Sequence, residues 1–404
     1  MVVPVRSRTT APSRSPAPSP RDPGLDLLRA GVLLLMVFVH VFRFADHSIS
    51  GVTTLLWFGE AAPALFFFAF GMTTRAFLDR EPTRRSARLL AFLYVALMHN
   101  AVTGTLGRWN FLGFLFMARG VTWALAGAAR APARWHLAAF GVFGLCLLFT
   151  PVDWMGSLFR RAVPGPFPLV PWILFVLAGH AYAGGALGRR GLLAALGAVA
   201  FAAILWSLSE LGGIDSYRIS KWPLTFPFVL AGCGGAVLIV EGGRTWARLG
   251  HRQPTGVDRL SRNLLLGTAL HYLPLALFTT LAVWSPIRTL GPGLRTVVVG
   301  GFTILSMASI RPLIAGTRRL WSGIEGRAGP RLLLAHPHSV AVVLLLLVGV
   351  PMSLYETVRL ANLWGTDWPR LLRLLPFLSL VWLSLAMGQR LPATDGEGSG
   401  SAGA

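Results

Sequence analysis

The stretch LDLLRAGVLLLMVFVHVFRF, residues 25–44, decides the fold class of this chain. It holds twenty residues, and all but four of them are apolar or small. A helix of this length spans about 30 Å, which matches the hydrocarbon core of a bilayer. The stretch therefore predicts a helix that crosses a membrane.

The polar residues of this stretch recur on one face of the predicted helix. Arg29 and His40 lie eleven positions apart, and at 100° per residue they differ by only about 20° in direction and about 16 Å along the axis. Asp26 precedes Arg29 by one turn, and Arg43 follows His40 by one turn. Ionisable groups at membrane depth are costly, so this stripe marks a candidate functional face.

Apolar segments of similar length recur along the chain and predict an all-α polytopic membrane protein with about twelve transmembrane helices in one bundle. The predicted spans lie near 25–44, 53–74, 89–107, 111–129, 135–150, 168–188, 191–209, 222–240, 263–284, 296–313, 339–355 and 371–388.

The composition argues against a soluble protein and against a nucleic-acid partner. Hydrophobic residues make up 54% of the 404-residue chain and charged residues only 13%, about half the charge of an average soluble protein. The net charge of +21 does not form a soluble basic face, because the arginines lie in short clusters between apolar runs. The lipid bilayer is therefore the expected surrounding.

The distribution of basic residues predicts the orientation. If the N-terminus is cytoplasmic and the loops alternate, 25 of the 37 basic residues fall on the inner side and 11 on the outer side. Because cytoplasmic loops carry the excess of Lys and Arg, this split favours twelve spans with both termini inside.

The two ends of the chain differ from the apolar body. Residues 1–23 are rich in Pro, Ser and Arg and predict a disordered cytoplasmic tail rather than a cleaved signal peptide. Residues 391–404 predict a flexible tail, so the transmembrane domain is expected over 24–390.

The second predicted span carries Glu60 near its outer end and Arg75 at its inner end. Glu60 lies at a depth similar to that of His40, where a carboxylate can orient or deprotonate an imidazole. An exposed glutamate in a short outer loop is an equally good interpretation.

Later spans add further polar and aromatic candidates. Trp172, at the start of the sixth span, is most simply a residue of the interfacial aromatic belt. The ninth span buries His271 beside Tyr272, which makes this pair the second candidate after His40. Cys146 and Cys233 have no metal-site spacing, and no metal is expected.

Four segments, in order, resemble the acyltransferase-3 superfamily of integral-membrane acyltransferases. They are the Arg29-x10-His40 pattern after LDLLR, APALFFFAFGMTTR (62–75), FPLVPWILFVLAGHAYAG (167–184) and VDRLSRNLLLGTALHY (257–272). The third is similar to the branch that includes heparan-α-glucosaminide N-acetyltransferase and related bacterial proteins. The resemblance covers most of the chain up to about residue 285, and Asn263-Leu264 departs from the family's small pair.

The resemblance implies transfer of an acyl group across a bacterial cytoplasmic membrane. Acyl-CoA, with acetyl-CoA as the expected donor, would bind from the cytoplasm through Arg29, Arg75 and the arginines of residues 80–88, which are expected at the inner mouth. His40 would act as general base or as covalent acyl carrier, with Glu60 beside it. Trp172, His271 and Tyr272 would line the substrate pocket, and the acceptor would be a hydroxyl or amine of a glycan, glycolipid or secreted metabolite.

Two other functions fit the same pattern. A multi-span transporter or flippase without covalent chemistry suits twelve spans, although the chain lacks the mid-membrane acidic residues that many transporters use. A non-catalytic relative acting as an assembly partner is the third possibility.

Overall fold

The described part of this computed structural model is built of helices. It comprises residues 21–103, 111–149, 167, 169–214, 217–221, 224–275, 286–287, 289–325, 337–351 and 378–385, and no strand occurs among them. The expected tail at 391–404 lies outside these residues, as does most of the segment at 371–388.

The helices are numbered in chain order. They are α1 (Pro23–Phe42), α2 (Ser50–Gly59), α3 (Ala62–Met72), α4 (Thr74–Leu78), α5 (Pro82–Thr103), α6 (Phe111–Ala124), α7 (Ala126–Ala129), α8 (Ala133–Phe149), α9 (Leu169–Ala183), α10 (Gly191–Gly212), α11 (Phe226–Arg248), α12 (Thr255–Arg262), α13 (Leu264–Leu270), α14 (Pro292–Glu325) and α15 (Pro337–Leu344). A 3₁₀ turn (Gly188–Arg190) precedes α10, and a π turn (Leu345–Gly349) follows α15.

Five helical segments are long and apolar enough to cross a membrane, which agrees with an all-α, multi-pass membrane protein. They are Pro23–Phe42, Ser50–Met72, Gly191–Gly212, Phe226–Arg248 and Pro292–Gly323. Shorter apolar helices are Phe111–Ala124, Ala133–Phe149, Leu169–Ala183 and Leu264–Leu275. The count of twelve spans is therefore not confirmed by helix length.

Several helices extend beyond the apolar cores that the hydropathy predicts. Helix α5 begins at Pro82 rather than near 89, so Arg84, Arg85 and Arg88 are helical and do not lie in a loop. Helix α14 runs 34 residues to Glu325, whereas the expected span was 296–313. Hydropathy finds only the apolar part of a helix, while arginine is a good helix former whose long side chain reaches out of the apolar layer.

The ordered structure also begins earlier than the tail prediction of 1–23 allows. Pro23 is the first residue of α1, and the Asp22 carboxylate accepts hydrogen bonds from the backbone N–H groups of Gly24 (3.0 Å) and Leu25 (3.4 Å). An acidic cap followed by proline is a typical helix start. Residues 21–23 therefore belong to the folded domain.

Arg244 of α11 fixes the start of α1. Its guanidinium donates to both Asp22 oxygens, at 2.6 and 3.2 Å, and to the Tyr182 hydroxyl (2.8 Å) and Glu241 (2.9 Å). Partial burial acts to raise the pKa of Asp22, but the hydrogen bonds and the charge of Arg244 outweigh it and hold that pKa below its ordinary value. Three helices, α1, α9 and α11, are joined here.

Two substitutions of Asp22 distinguish its role as a helix cap from its role in the ion pair with Arg244. Asparagine also caps helices, so we expect Asp22→Asn to cost only the ion pair, about 1 kcal/mol, and Asp22→Ala to cost about 2 kcal/mol. The ionic part is present above the unfolded pKa, near 4, and is lost as pH falls through the lower folded pKa. Thermal unfolding of the purified variants between pH 7 and pH 3 checks this. Equal midpoints for wild type and Asp22→Asn at pH 7 would contradict it.

Glycine permits two pairs of helices to touch backbone to backbone. A Cβ at Gly179 of α9 would lie 2.1 Å from the Phe68 carbonyl oxygen of α3, and one at Gly71 would lie 2.2 Å from the Val176 carbonyl oxygen. In the same way, a Cβ at Gly24 of α1 would lie 2.1 Å from the Val240 carbonyl oxygen of α11. Small residues at such crossings are typical of membrane helix packing.

The core between α3, α6 and α9 is aromatic. Phe67 packs against Phe114, with ring centroids 4.0 Å apart, and against Trp172, at 5.6 Å. Trp172 is only 1% exposed and also contacts Phe175 and Phe228. The expectation that Trp172 lies in an interfacial belt is therefore wrong, because the α3–α9 crossing turns this ring into the bundle.

Candidate functional site: a histidine cluster and an arginine cluster

His40 and His271 meet inside the bundle. His40 lies on the last turn of α1, and His271 directly follows α13, where a Cβ at Gly267 would meet the Leu33 side chain of α1 at 2.4 Å. The Nδ1 atom of His40 and the Nε2 atom of His271 are 3.1 Å apart, and the ring centroids are 5.0 Å apart. Because Gly267 lets the two helices approach, the two candidates of the sequence form one site.

The hydrogen bonds assign the tautomers of these two rings in their neutral form. His271 Nδ1 contacts the Thr268 carbonyl oxygen, which only accepts, so Nδ1 of His271 carries the hydrogen. Its Nε2 then has a lone pair and accepts from Nδ1–H of His40. His40 is left with a lone pair on Nε2, and His40 is partly exposed whereas His271 is 0% exposed. The arrangement is that of a base held in place by a second group.

Tyr272 and His99 complete this histidine cluster, which we define as His40, His99, His271 and Tyr272. The Tyr272 hydroxyl is hydrogen-bonded to Nε2 of His99 on α5, and the Tyr272 ring lies 4.1 Å from that of His271 and 6.2 Å from that of His40. Sequence reasoning assigned no role to His99. Its one signal is a histidine next to Asn100 in an otherwise apolar helical stretch.

Glu60 does not contact His40 as the sequence suggested. The second predicted span breaks between α2 and α3, and Glu60 sits at that break, where its carboxylate pairs with the ammonium group of Lys221. Its charge still acts on the His40 imidazole from a distance. The α2–α3 break does pack on this turn of α1, since a Cβ at Gly59 would meet the Val39 side chain at 2.3 Å. The Glu60 carboxylate is nevertheless engaged by Lys221, and the described partner of the His40 imidazole is His271.

A buried arginine lies toward the opposite end of α1. Arg119 of α6 is 3% exposed, and its guanidinium donates to the Phe70 carbonyl oxygen (3.1 Å), to the Thr74 hydroxyl (3.0 Å) and to the Thr73 hydroxyl. It also lies 3.9 Å from the centroid of the Phe70 ring. These partners are neutral, and they sit where α3 ends and α4 begins.

Three other arginines lie near enough for their charges to act on Arg119. Its charge interacts with those of Arg88 and Arg80, and with that of Arg29 on α1. The Nε atom of Arg88 is buried and has no hydrogen-bond partner in the described part of the chain. We call Arg29, Arg80, Arg88 and Arg119 the arginine cluster. Like charges that converge around a buried group repel one another, so the cluster suits an anion with several negative charges.

The carboxylate nearest to the arginine cluster along α1 is already engaged. Asp26 is 5% exposed, accepts from Arg21 (2.7 Å) and from the Ser261 hydroxyl (2.6 Å), and also attracts Arg29. One carboxylate with three polar partners leaves most of the positive charge of the cluster uncompensated.

Arg75 lies apart from Arg29. It is exposed on the short helix α4, and its charge acts on His180 of α9. Among the residues that the structure describes, its side chain makes no ion pair or hydrogen bond. The sequence placed Arg75 and the arginines of residues 80–88 in the donor site together with Arg29. The structure groups Arg80 and Arg88 with Arg29 but not Arg75, and it adds Arg119, to which the sequence assigned no role.

No metal site accompanies these clusters within the described ranges, since they contain no group of three His, Cys, Asp or Glu side chains able to hold an ion. Comparisons of the chain with protein-family models, curated protein sequences and solved structures found no match.

Proposed function

We propose that this protein is an integral-membrane acyltransferase that moves an acyl group, acetyl in the first place, from acyl-CoA to a hydroxyl or amine. The observation that carries the proposal is the placement of two unlike side chains on α1. His40, the proposed base, and Arg29, the member of the arginine cluster that α1 contributes, share one face of this helix about 16 Å apart. A donor that joins phosphates to a distant thioester through a long arm, as coenzyme A does, suits that spacing.

In the proposed reaction, the arginine cluster holds the phosphates of acyl-CoA. The lone pair on Nε2 of His40 takes the proton of the acceptor as its oxygen or nitrogen bonds to the thioester carbonyl carbon. The carbon–sulfur bond then breaks, and the CoA thiolate receives the proton from His40. His271 supports the imidazolium that forms between these steps, since its Nε2 accepts from Nδ1–H of His40.

The orientation follows from the arginine distribution. With the start of α1 in the cytoplasm, the arginine cluster faces the compartment that contains acyl-CoA, and His40 lies toward the outer side. The acceptor would then be a glycan, glycolipid or secreted metabolite on the outer side of a bacterial cytoplasmic membrane. Glu60 belongs to that outer end rather than to the reacting atoms, and Trp172 supports the bundle from its core.

The first test is release of CoA from acetyl-CoA by the full-length protein in proteoliposomes, with a thiol reagent as the readout. Release that depends on the protein supports the enzyme. Movement of a labelled glycolipid without CoA release would support a flippase instead. Absence of both activities would favour the non-catalytic assembly partner.

Arg88 provides a specific prediction for donor binding. Arg88→Gln removes one cation of the cluster, and we expect the KM for acetyl-CoA to rise about tenfold while kcat changes little, the effect of losing one charge-assisted hydrogen bond. Arg84→Gln is the matched control, because Arg84 lies on the same helix but faces Glu81 at 3.7 Å. Equal KM values for the two variants would contradict the donor site.

A further inference from the structure

A second group of charges lies at the other end of α1, beyond His40. Arg43 is exposed and follows His40 by three residues, which is about 4.5 Å along the helix. The charges of Arg43, Lys221 and Glu60 all act on the His40 imidazole. We call these three residues the Arg43–Glu60–Lys221 group.

Lys221 is held in its place by the turn that precedes α11. The Thr225 hydroxyl accepts from the backbone N–H of Ser220 (3.0 Å) and lies 2.6 Å from the Arg218 carbonyl oxygen, to which it can donate. This turn carries Lys221, 15% exposed at its side chain, onto Glu60 at the break between α2 and α3. The pair is thus fixed from both sides by local structure.

The charge of this group is unbalanced. Glu60 offsets one of the two cations, and the second, Arg43, makes no ion pair with a described residue; its guanidinium lies 5.2 Å from the centroid of the Phe44 ring. Asp46, the next acid along the chain, is occupied by the backbone N–H of Ser48 (2.9 Å) and lies 3.8 Å from Arg295. One exposed positive charge therefore remains within a helical turn of the proposed base.

We propose that the Arg43–Glu60–Lys221 group selects an anionic acceptor, one whose reacting hydroxyl or amine lies close to a carboxylate or phosphate. This inference rests on the proposed acyl transfer and names the class of its acceptor. Arg43 binds the anionic group, because Glu60 already offsets the charge of Lys221. The reacting atom of such an acceptor is thereby directed toward Nε2 of His40.

Two matched probes test the proposal. Octyl β-glucuronide and octyl β-glucoside differ only in a carboxylate against a hydroxymethyl group at carbon 6. With the full-length protein in proteoliposomes and acetyl-CoA as donor, we expect kcat/KM to favour the glucuronide about fivefold, the upper size of one partly exposed charge pair. Arg43→Gln abolishes this preference, and Glu60→Gln increases it because a repelling carboxylate is removed. Arg248→Gln, at the opposite end of the bundle and 69% exposed, leaves it unchanged.

A second experiment measures binding of the anionic acceptor independently of acyl transfer. Lys221 is the only lysine of the chain, so mass spectrometry of the tryptic peptide reports its acetylation by a membrane-impermeant amine reagent. We expect the glucuronide to slow this labelling more than the glucoside in wild type and in His40→Ala, and Arg43→Gln to remove the difference. Protection without any CoA release would overturn the acyltransferase and leave the anion site standing. Equal protection by both probes, or acyl transfer without preference, would overturn the anion site.

Discussion

His40→Ala lowers the rate of CoA release from acetyl-CoA by about three orders of magnitude, which is the contribution expected of a positioned general base. The reason is local, because the variant removes the Nε2 lone pair that takes the acceptor proton in the proposed reaction. His271 keeps its contact with the Thr268 carbonyl oxygen and stays buried, so the fold of the cluster is retained. Steady-state rates in proteoliposomes, with unfolding midpoints measured in parallel, provide the test.

His47→Ala is the matched control for this variant. His47 is an exposed histidine at the same end of α1, and its ring contacts the Arg43 carbonyl oxygen at 2.9 Å. We expect it to change CoA release less than about twofold, as is usual for a surface substitution. Comparable rates for wild type and His40→Ala would remove the base from the proposed mechanism.

The same preparation separates a base from a covalent acyl carrier. Rapid denaturation at neutral pH after mixing with labelled acetyl-CoA, followed at once by peptide analysis, finds label on His40 only if the acyl group passes through the imidazole. The hydrogen bond from His40 to His271 favours the base, and we expect no trapped label.

His271→Ala should lower kcat about 10- to 100-fold, since the base loses the partner that fixes its tautomer.

Gly179→Ala has the largest expected effect on folding. Its Cβ would lie 2.1 Å from the Phe68 carbonyl oxygen and 3.2 Å from the backbone nitrogen of Met72. Backbone atoms cannot move aside as a side-chain end can, so α9 must shift away from α3. Overpacking costs typically about 1–3 kcal/mol and more where backbone must move, and we expect about 3 kcal/mol here. The loss would be seen as a lower thermal midpoint and a smaller yield of monodisperse protein.

The shift of α9 also reaches the arginine cluster. Helix α3 ends at Met72, and the residues that hold Arg119 lie at that end, so a displaced α3 weakens donor binding as well. Gly197→Ala is the control, since Gly197 is a helical glycine of α10 and no atom lies within 4 Å of the position that an added Cβ would take. There alanine should be neutral or stabilising. A midpoint for Gly179→Ala equal to that of Gly197→Ala would contradict the close crossing.

The part of the site that lies on α1 could be predicted from the sequence. The periodicity of 3.6 residues placed Arg29 and His40 on one face, and α1 does run without interruption from Pro23 to Phe42. The pairing of His40 with His271 could not be predicted from the sequence, because it depends on the contact between α1 and α13 that Gly267 permits. His99 meets Tyr272 through a contact across 173 positions of chain, which no local pattern encodes.

The role of Arg119 could not be predicted either, for a different reason. In the sequence it is one arginine in an apolar span, and its role depends on the break between α3 and α4, which exposes the Phe70 carbonyl oxygen to it. Hydropathy averages over about twenty residues and cannot register a one-residue break such as Thr73. For the same reason it joined α2 to α3 and placed Glu60 within an uninterrupted span.

The continuity of α1 has a mechanical consequence. Neighbouring helices change their tilt when a bilayer becomes thicker or thinner, and groups carried on different helices then move relative to one another. Two side chains on one unbroken helix keep a separation fixed by the peptide geometry itself. The separation of Arg29 and His40 along α1 is therefore independent of the thickness of the bilayer.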